Sequence, residues 1–373
     1  MPEPHHLLLT LYRRALARVH GERVVREGLH GISGDCSVVA LGKAAAAMVA
    51  GARTVPGLEV QRGFAVIPRG YELLAPAPDW TVLYGGHPLP DATSLAAGAA
   101  LVEWMQALPP AEPLIALVSG GTSACVEHLR DGMALDEVTD RTATLLRSGA
   151  DIGAVNAARS EWSLLKHGRA LQFVGERPVL VRVVADVPGD DPAIVGSGIF
   201  YSSHLGANLQ VIASNGTALD AVCEAAAEYG LPVHVRGALR GDAARQGEAI
   251  AEHLRGAEPG LYLWGGESTI VLPAEPGVGG RCQHLALTAA LALDGDPRVT
   301  LLAAGTDGVD GASPDAGALV DGGSAARMRN EGVDGADALR RADSNRALAA
   351  SGDLVNTGPT GTNVMDLVIA IVT

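Results

Sequence analysis

Apolar residues fall at helical spacing across residues 7–19, with Arg13, Arg14 and Arg18 on the other side, so an amphipathic helix is expected there. Short apolar runs then alternate with helix-compatible stretches. Strands are expected at 37–41, 63–68, 81–84, 114–118, 179–185 and 209–213, and helices at 44–52, 92–108, 135–148, 151–167 and 217–229. Pro88 and Pro90 force 85–91 into an extended loop, Pro109 ends the helix before it, and Gly168 suits a helix C-cap. Beyond about residue 235 the pattern changes. Strands are expected there at 233–235, 261–264, 300–304 and 367–372, a hairpin partner at 269–272, and helices at 242–254 and 283–293. This alternation predicts two three-layer α/β domains: 1–235 with a mostly parallel sheet, and 236–373 with a mixed sheet. No segment repeats at a fixed period, which argues against a solenoid.

Composition narrows the class. At 373 residues the chain suits two domains, and 47% hydrophobic against 19% charged residues makes it a globular protein with a large core. A formal net charge of -14 argues against nucleic-acid or anionic-membrane partners. An aromatic content of 3% leaves little for base stacking. Cys36, Cys125, Cys223 and Cys282 are far apart with no CxxC spacing, so reduced thiols and a cytoplasmic location are expected. The first helix lacks the pattern of a signal peptide, and no uncharged apolar run reaches transmembrane length.

Ligands of open α/β sheets sit beyond the carboxyl ends of the strands. Here those ends carry Gly42-Lys43, Gly85-Gly86-His87, Ser119-Gly120-Gly121-Thr122-Ser123, Asp186 with Asp190 and Asp191, Gly265-Gly266-Glu267, and Thr306-Asp307-Gly308. The 119–123 loop, with two glycines and three hydroxyls before a helix, reads either as an anion-holding loop or as an ordinary strand-to-helix turn. One lysine, several carboxylates and many backbone amides suit phosphoryl transfer, which needs positive charge, a divalent ion and excluded water. Lys43, after a glycine at a helix start, is the first catalytic candidate. Asp186 is either a Mg²⁺ ligand, with Asp190 beside it in sequence, or a cap for its turn. Asp190 and Asp191 also fit turn roles, and His87 reads as a base or a satisfied loop histidine. Arg281, after the glycines of GVGG, is a phosphate or carboxylate clamp or else a surface ion pair. Asp307 and Asp310 have calcium-loop spacing without the full ligand set. GxxxxGK[ST], a placed GxGxxG and GxSxG are all absent, which removes support for a P-loop kinase, a nicotinamide dehydrogenase and a nucleophile-elbow hydrolase.

Nine blocks occur in one order along nearly the whole chain: ALGKAAAAM (40–48), GGHPLPD (85–91), LVSGGTSA (117–124), LLRSGADIGAVNAARSEWSLLKHGR (145–169), ADVPGDDPAIVGSG (185–198), GGESTI (265–270), GGRCQHLAL (279–287), AAGTDGVDG (303–311) and TGPTGTNVMDL (357–367). Together they resemble the glycerate 2-kinase family with its C-terminal MOFRL domain. The resemblance implies ATP-dependent phosphorylation of the 2-hydroxyl of D-glycerate or a related small hydroxy acid, with Mg²⁺ or another divalent cation, in a cleft between two α/β domains. It gives Lys43 and Arg281 the family's catalytic basic positions. Nucleotide contacts are expected from Ser119, Gly120, Gly121, Thr122, Ser123, Gly265, Gly266, Glu267, Thr306 and Asp307, and a homodimer is one expected assembly. Thr122 stands where the family has a third glycine, and Cys282 and His284 replace an asparagine and a glutamate. These departures are expected to fill space at the anion site and to steer acceptor choice away from D-glycerate. A kinase of a different, specialised substrate and a non-catalytic binding protein of this fold stay open beside the D-glycerate kinase.

Overall fold

A computed structural model describes residues 3–71, 79–147 and 158–373. The described chain forms two compact units, each discontinuous in sequence. One gathers Val19–Ser214 and Gly361–Val364; the other gathers the residues up to Arg18 with Asn215–Thr360 and Met365–Thr373.

In the first unit, β1 (Gly34–Leu41), β2 (Leu58–Pro68), β3 (Trp80–Gly85), β4 (Leu114–Val118), β5 (Val179–Val184) and β6 (Leu209–Ala213) form one sheet in the order β3-β2-β1-β4-β5-β6. Every pairing is parallel. The central strand β4 is apolar from end to end and wholly buried, as expected of a parallel sheet covered on both faces. Val39, Leu41, Phe64, Val66, Leu101, Ala116 and Val181 belong to one core cluster. Helices α2 (Gly21–Gly28), α3 (Ala45–Ala52), α4 (Ala92–Gln106), the single turn α5 (Thr122–Cys125) and α6 (Leu135–Arg147) connect or cover the strands. Asp91 opens α4 in a capping box with Ser94. The expected helix at 151–167 is helical at 158–162, and its first seven residues lie outside the described set. Gly168 does not cap it; this residue precedes a 3₁₀ turn, Arg169–Phe173.

The second unit is mixed, as expected. Its sheet runs β11-β10-β9-β12-β8-β7, from β7 (Val233–Leu239), β8 (Gly260–Gly266), β9 (Val299–Gly305), β10 (Gly317–Asp321), β11 (Leu354–Val355) and β12 (Asp366–Val372). Only β7 and β8 pair in parallel. Helix α1 (Pro4–Val19) carries Tyr12, whose hydroxyl donates to Gly305 O at 2.6 Å. The Asn215 amide of α7 (Asn215–Ala227) donates to Asp366 O at 3.1 Å. These contacts explain why the compact unit starts at residue 215 and takes in α1, whereas a single cut near 235 would separate them. Helices α8 (Ala243–Arg255), α9 (Arg281–Ala292), α10 (Ser324–Asn330), α11 (Gly335–Arg340) and α12 (Ser344–Ser351) complete it. The hairpin partner expected at 269–272 does not form. Strand β8 already has β12 on one side and β7 on the other, and Val271 and Leu272 are left exposed.

Candidate active site

In the first unit the loops after β1 and β4 are joined to one another. Gly42 has φ +101°, and a Cβ there would sit 2.5 Å from Gly120 O and 2.6 Å from Ser119 O. Only glycine lets the two loops come this close. Lys43 N then donates to Gly120 O at 2.8 Å, Ser119 Oγ donates to Leu41 O, and Ala44 N donates to Ser119 Oγ. The half-buried Lys43 runs its stem past Gly121, near Pro68 and His87, and its ammonium lies over the Tyr71 ring, 5.4 Å from the centroid. An ammonium on an aromatic face is held by the ring's charge distribution. Asp186, just past β5, accepts from Asn363 Nδ2 at 2.9 Å. Both side chains press on Gly120, where a Cβ would come within 1.8 Å of Asp186 Oδ2.

The neighbouring candidates divide differently. The Asp91 carboxyl caps α4; burial is the largest single influence and raises its pKa, but hydrogen bonds from Thr93, Arg69 and Ser94 together outweigh it and hold the carboxyl down at about 2. Asp190 occupies a left-handed turn, φ +55°, with its N–H on Val187 O, and Asp191 Oδ1 accepts from Ala193 N. Among the described residues no group of three or more His, Cys, Asp or Glu side chains is arranged to hold a metal ion. The hydroxyls of 119–123 do not cap a long helix: α5 is one turn, Gly121 is its N-cap residue, and Thr122 Oγ1 donates back to Ser119 O at 2.8 Å. The helix-end part of the anion-site expectation therefore fails, because a single turn has almost no dipole to offer.

In the second unit Asp366 starts β12, in register with Gly266 of β8 and Gly305 of β9. Arg281, the first residue of α9, sends Nε and NH2 to Asp366 at 3.3 and 3.2 Å, and NH2 to Glu267 at 2.9 Å. Burial opposes the charge on Arg281, but these two carboxylates outweigh it and raise the guanidinium above its ordinary range. Asp310 caps α9 by accepting from Cys282 N and Gln283 N. Burial, reinforced by Asp366, pushes its carboxyl up to about 7. Other candidates are used by the fold itself. The buried Thr306 hydroxyl donates to Met365 O at 2.6 Å, and Asp307 Oδ1 accepts from Val309 N. Gly265 lies against the Asn215 amide and Gly266 against Leu239 O, so both glycines have a packing reason to be there.

Residues 7–229 match the domain of unknown function DUF4147, and residues 260–366 match the MOFRL family. The chain is 31% identical to D-glycerate 2-kinase of Thermotoga maritima, over 98% of each chain. A provisionally named hydroxypyruvate reductase of Agrobacterium vitis is 34% identical, over 90% of this chain and 98% of that one. The crystal structure of glycerate kinase from Thermotoga maritima superposes with a TM-score of 0.86 at 30% identity, covering 99% of both chains. The chain belongs to the glycerate 2-kinase family.

Within that family the three departures turn out to be interior. Thr122 is fully buried, and its Cβ would meet a side chain placed on Gly196 at 3.0 Å. Cys282 is in the core cluster of the second unit. His284 is 8% exposed, its pKa lowered by burial, with Nδ1 unpartnered. The expectation that Thr122 fills space beside a bound anion is therefore corrected: its methyl faces Gly196 and its hydroxyl faces backbone. His284 is likewise an interior side chain, and its burial disfavours the charged imidazole. Sequence reasoning passed over Tyr71, Asn363 and Asp366. The signal for the last two was present, since TGPTGTNVMDL places an amide and a carboxylate directly before an apolar strand. It also missed the fully buried ion pair of Lys166 and Glu127, which lies just past the glycine loop.

Proposed function

We propose that this chain is an ATP-dependent kinase that phosphorylates the 2-hydroxyl of D-glycerate, working in the cytoplasm. The observation that carries the reading is the placement of Lys43: a lysine at a strand end, joined through Gly42 to a glycine loop and backed by Asp186 and Asn363. Similarity to a D-glycerate 2-kinase over 98% of both chains supports the choice of acceptor.

In this reading the 2-hydroxyl oxygen attacks the γ-phosphorus of ATP, the bond from γ-phosphorus to the bridging oxygen breaks, and ADP leaves. Little covalent work falls to the protein, so positioning and charge carry the rate. Lys43 offsets the negative charge on the transferring phosphoryl group. The loop 119–123 offers its backbone beside that ammonium. Arg281 is the second basic group, a planar fork kept charged and oriented by Asp366 and Glu267. Asp186, with Asp190 in the same loop, would hold Mg²⁺. One or two carboxylates are what this ion takes from a protein when substrate phosphates and water complete its shell. When bound, the ion neutralises phosphate charge. The boundaries 1–235 and 236–373 are proposed as the sequence extents of the two family regions, whose matches fall inside them, and not as separately folding modules.

The test is a coupled ADP-release assay with D-glycerate, ATP and Mg²⁺, with phosphorus NMR to locate the ester. A kcat/KM of about 10⁴ M⁻¹s⁻¹ or above and a 2-phosphate product are expected. Oxidation of a reduced nicotinamide with hydroxypyruvate, without ADP release, would overturn the reading in favour of a reductase.

A further inference from the structure

Behind the glycine loop lies a short segment that the reaction itself does not use. Residues 196, 197 and 198 are all left-handed, with φ +56°, +54° and +64°, and the middle one is a serine. A buried non-glycine residue held there stores backbone strain and persists only where its surroundings impose it. The surroundings are specific. His167 N donates to Ser197 O at 2.8 Å and Gly168 N to Gly198 O at 2.7 Å, which fixes the segment from one side. On the other side the bare Cα of Gly196 lies under Thr122, and Ser197 Oγ is 2.7 Å from Ser123 Oγ. Two consecutive residues of the segment thus support two consecutive residues of the 119–123 loop. Ser197 is 2% exposed, while Ser123 is half-buried, so Ser197 stands behind Ser123 and away from solvent.

From this geometry we infer that Ser197 is a positioning residue for the kinase reaction, holding the Ser123 hydroxyl and the loop backbone in their working geometry at the expense of left-handed strain. The inference rests on the kinase reading above. It acts through Ser123 and touches no substrate. It also gives Thr122 a role: its extra bulk, compared with glycine, is matched by the missing side chain at 196, so loop and support are fitted as a pair.

The hydroxyl and the strain are separable by substitution. Ser197→Ala keeps the strained Cβ and removes the hydroxyl; Ser197→Gly removes both. Both variants should lose about tenfold in kcat, with circular dichroism unchanged. Ser197→Gly should unfold about 2–4 °C above Ser197→Ala because glycine adopts this φ freely. Ser123→Ala should match their kinetic loss. The double variant Ser123→Ala, Ser197→Gly should be no worse than about tenfold, because the two changes remove one contact. A Ser197→Gly enzyme within twofold of wild type overturns the inference, and so does a double variant reduced about a hundredfold. Wild-type protein that releases no ADP with D-glycerate sinks the kinase reading and this inference together. Wild-type turnover with a flat or additive cycle sinks the inference alone.

Discussion

Asn363 Nδ2 donates to Asp186 Oδ2 at 2.9 Å, with Gly120 pressed against both side chains. The carboxylate proposed to hold Mg²⁺ is thus aimed by an amide far along the chain. Asn363→Ala should lower kcat about tenfold, the scale of one hydrogen bond to a charged group. Gly120→Ala should be harsher, about a hundredfold or more, because its Cβ would displace the carboxylate. ADP-release kinetics beside thermal unfolding will check both. Normal turnover in Gly120→Ala would remove Asp186 from the site.

Lys43→Ala should lower kcat about a hundredfold in a protein that still folds, the scale of losing one electrostatic donor. Tyr71 refines the expectation. If its ring face holds the ammonium, Tyr71→Phe should keep nearly full activity and Tyr71→Leu should lose about three- to tenfold. Equal losses in the two Tyr71 variants would point to the phenol hydroxyl instead.

The three family departures call for a different experiment from the one the sequence suggests. The variant Thr122→Gly, Cys282→Asn, His284→Glu would place an amide and a carboxylate among buried residues. Burying polar groups without partners destabilises. Its unfolding midpoint should fall by about 5 °C or more, with no gain on D-glycerate. A gain in glycerate turnover at unchanged midpoint would restore a specificity role to these positions.

Asp310 gives a pH test. Its carboxyl sits at about 7 in the folded protein against an ordinary 3.8. Between those values the folded chain keeps a proton that the unfolded chain has released. Its contribution to stability therefore falls as pH rises from about 4 to about 7, and is level above that. Asp310→Asn removes this dependence while leaving an acceptor for the α9 amides. The midpoint of the variant minus that of wild type should widen as pH rises toward about 7 and then stay constant. A difference that does not change with pH would show that Asp310 is ionised throughout.

Much of the fold was legible because most of its strands contain a short apolar run bounded by turn-forming residues. The run at 114–118 ended where β4 ends, and the all-apolar 367–372 lies within β12. The stretch from 312 to 357 was not read, since β10 and β11 are short and α10 to α12 have six to eight residues each, too few for a clear period. Lys43 and Arg281 stood out by type and neighbours. Asn363, Tyr71 and Ser197 did not, because each matters through a partner distant in sequence. Thr122 and His284 misled for the converse reason: their place beside a motif said nothing about which way the side chains face.

The first unit includes Gly361–Val364, and the second includes the chain up to Arg18. This interleaving bears on how such proteins can exchange parts by recombination. A single crossover near residue 235 between two relatives would join one parent's Gly120 and Asp186 to the other parent's Asn363. It would likewise separate Tyr12 from the Gly305 carbonyl with which it evolved. Viable chimaeras of this family should need compensating changes at 12 and 363, or four junctions, at 18/19, 214/215, 360/361 and 364/365, where a two-module gene would need one.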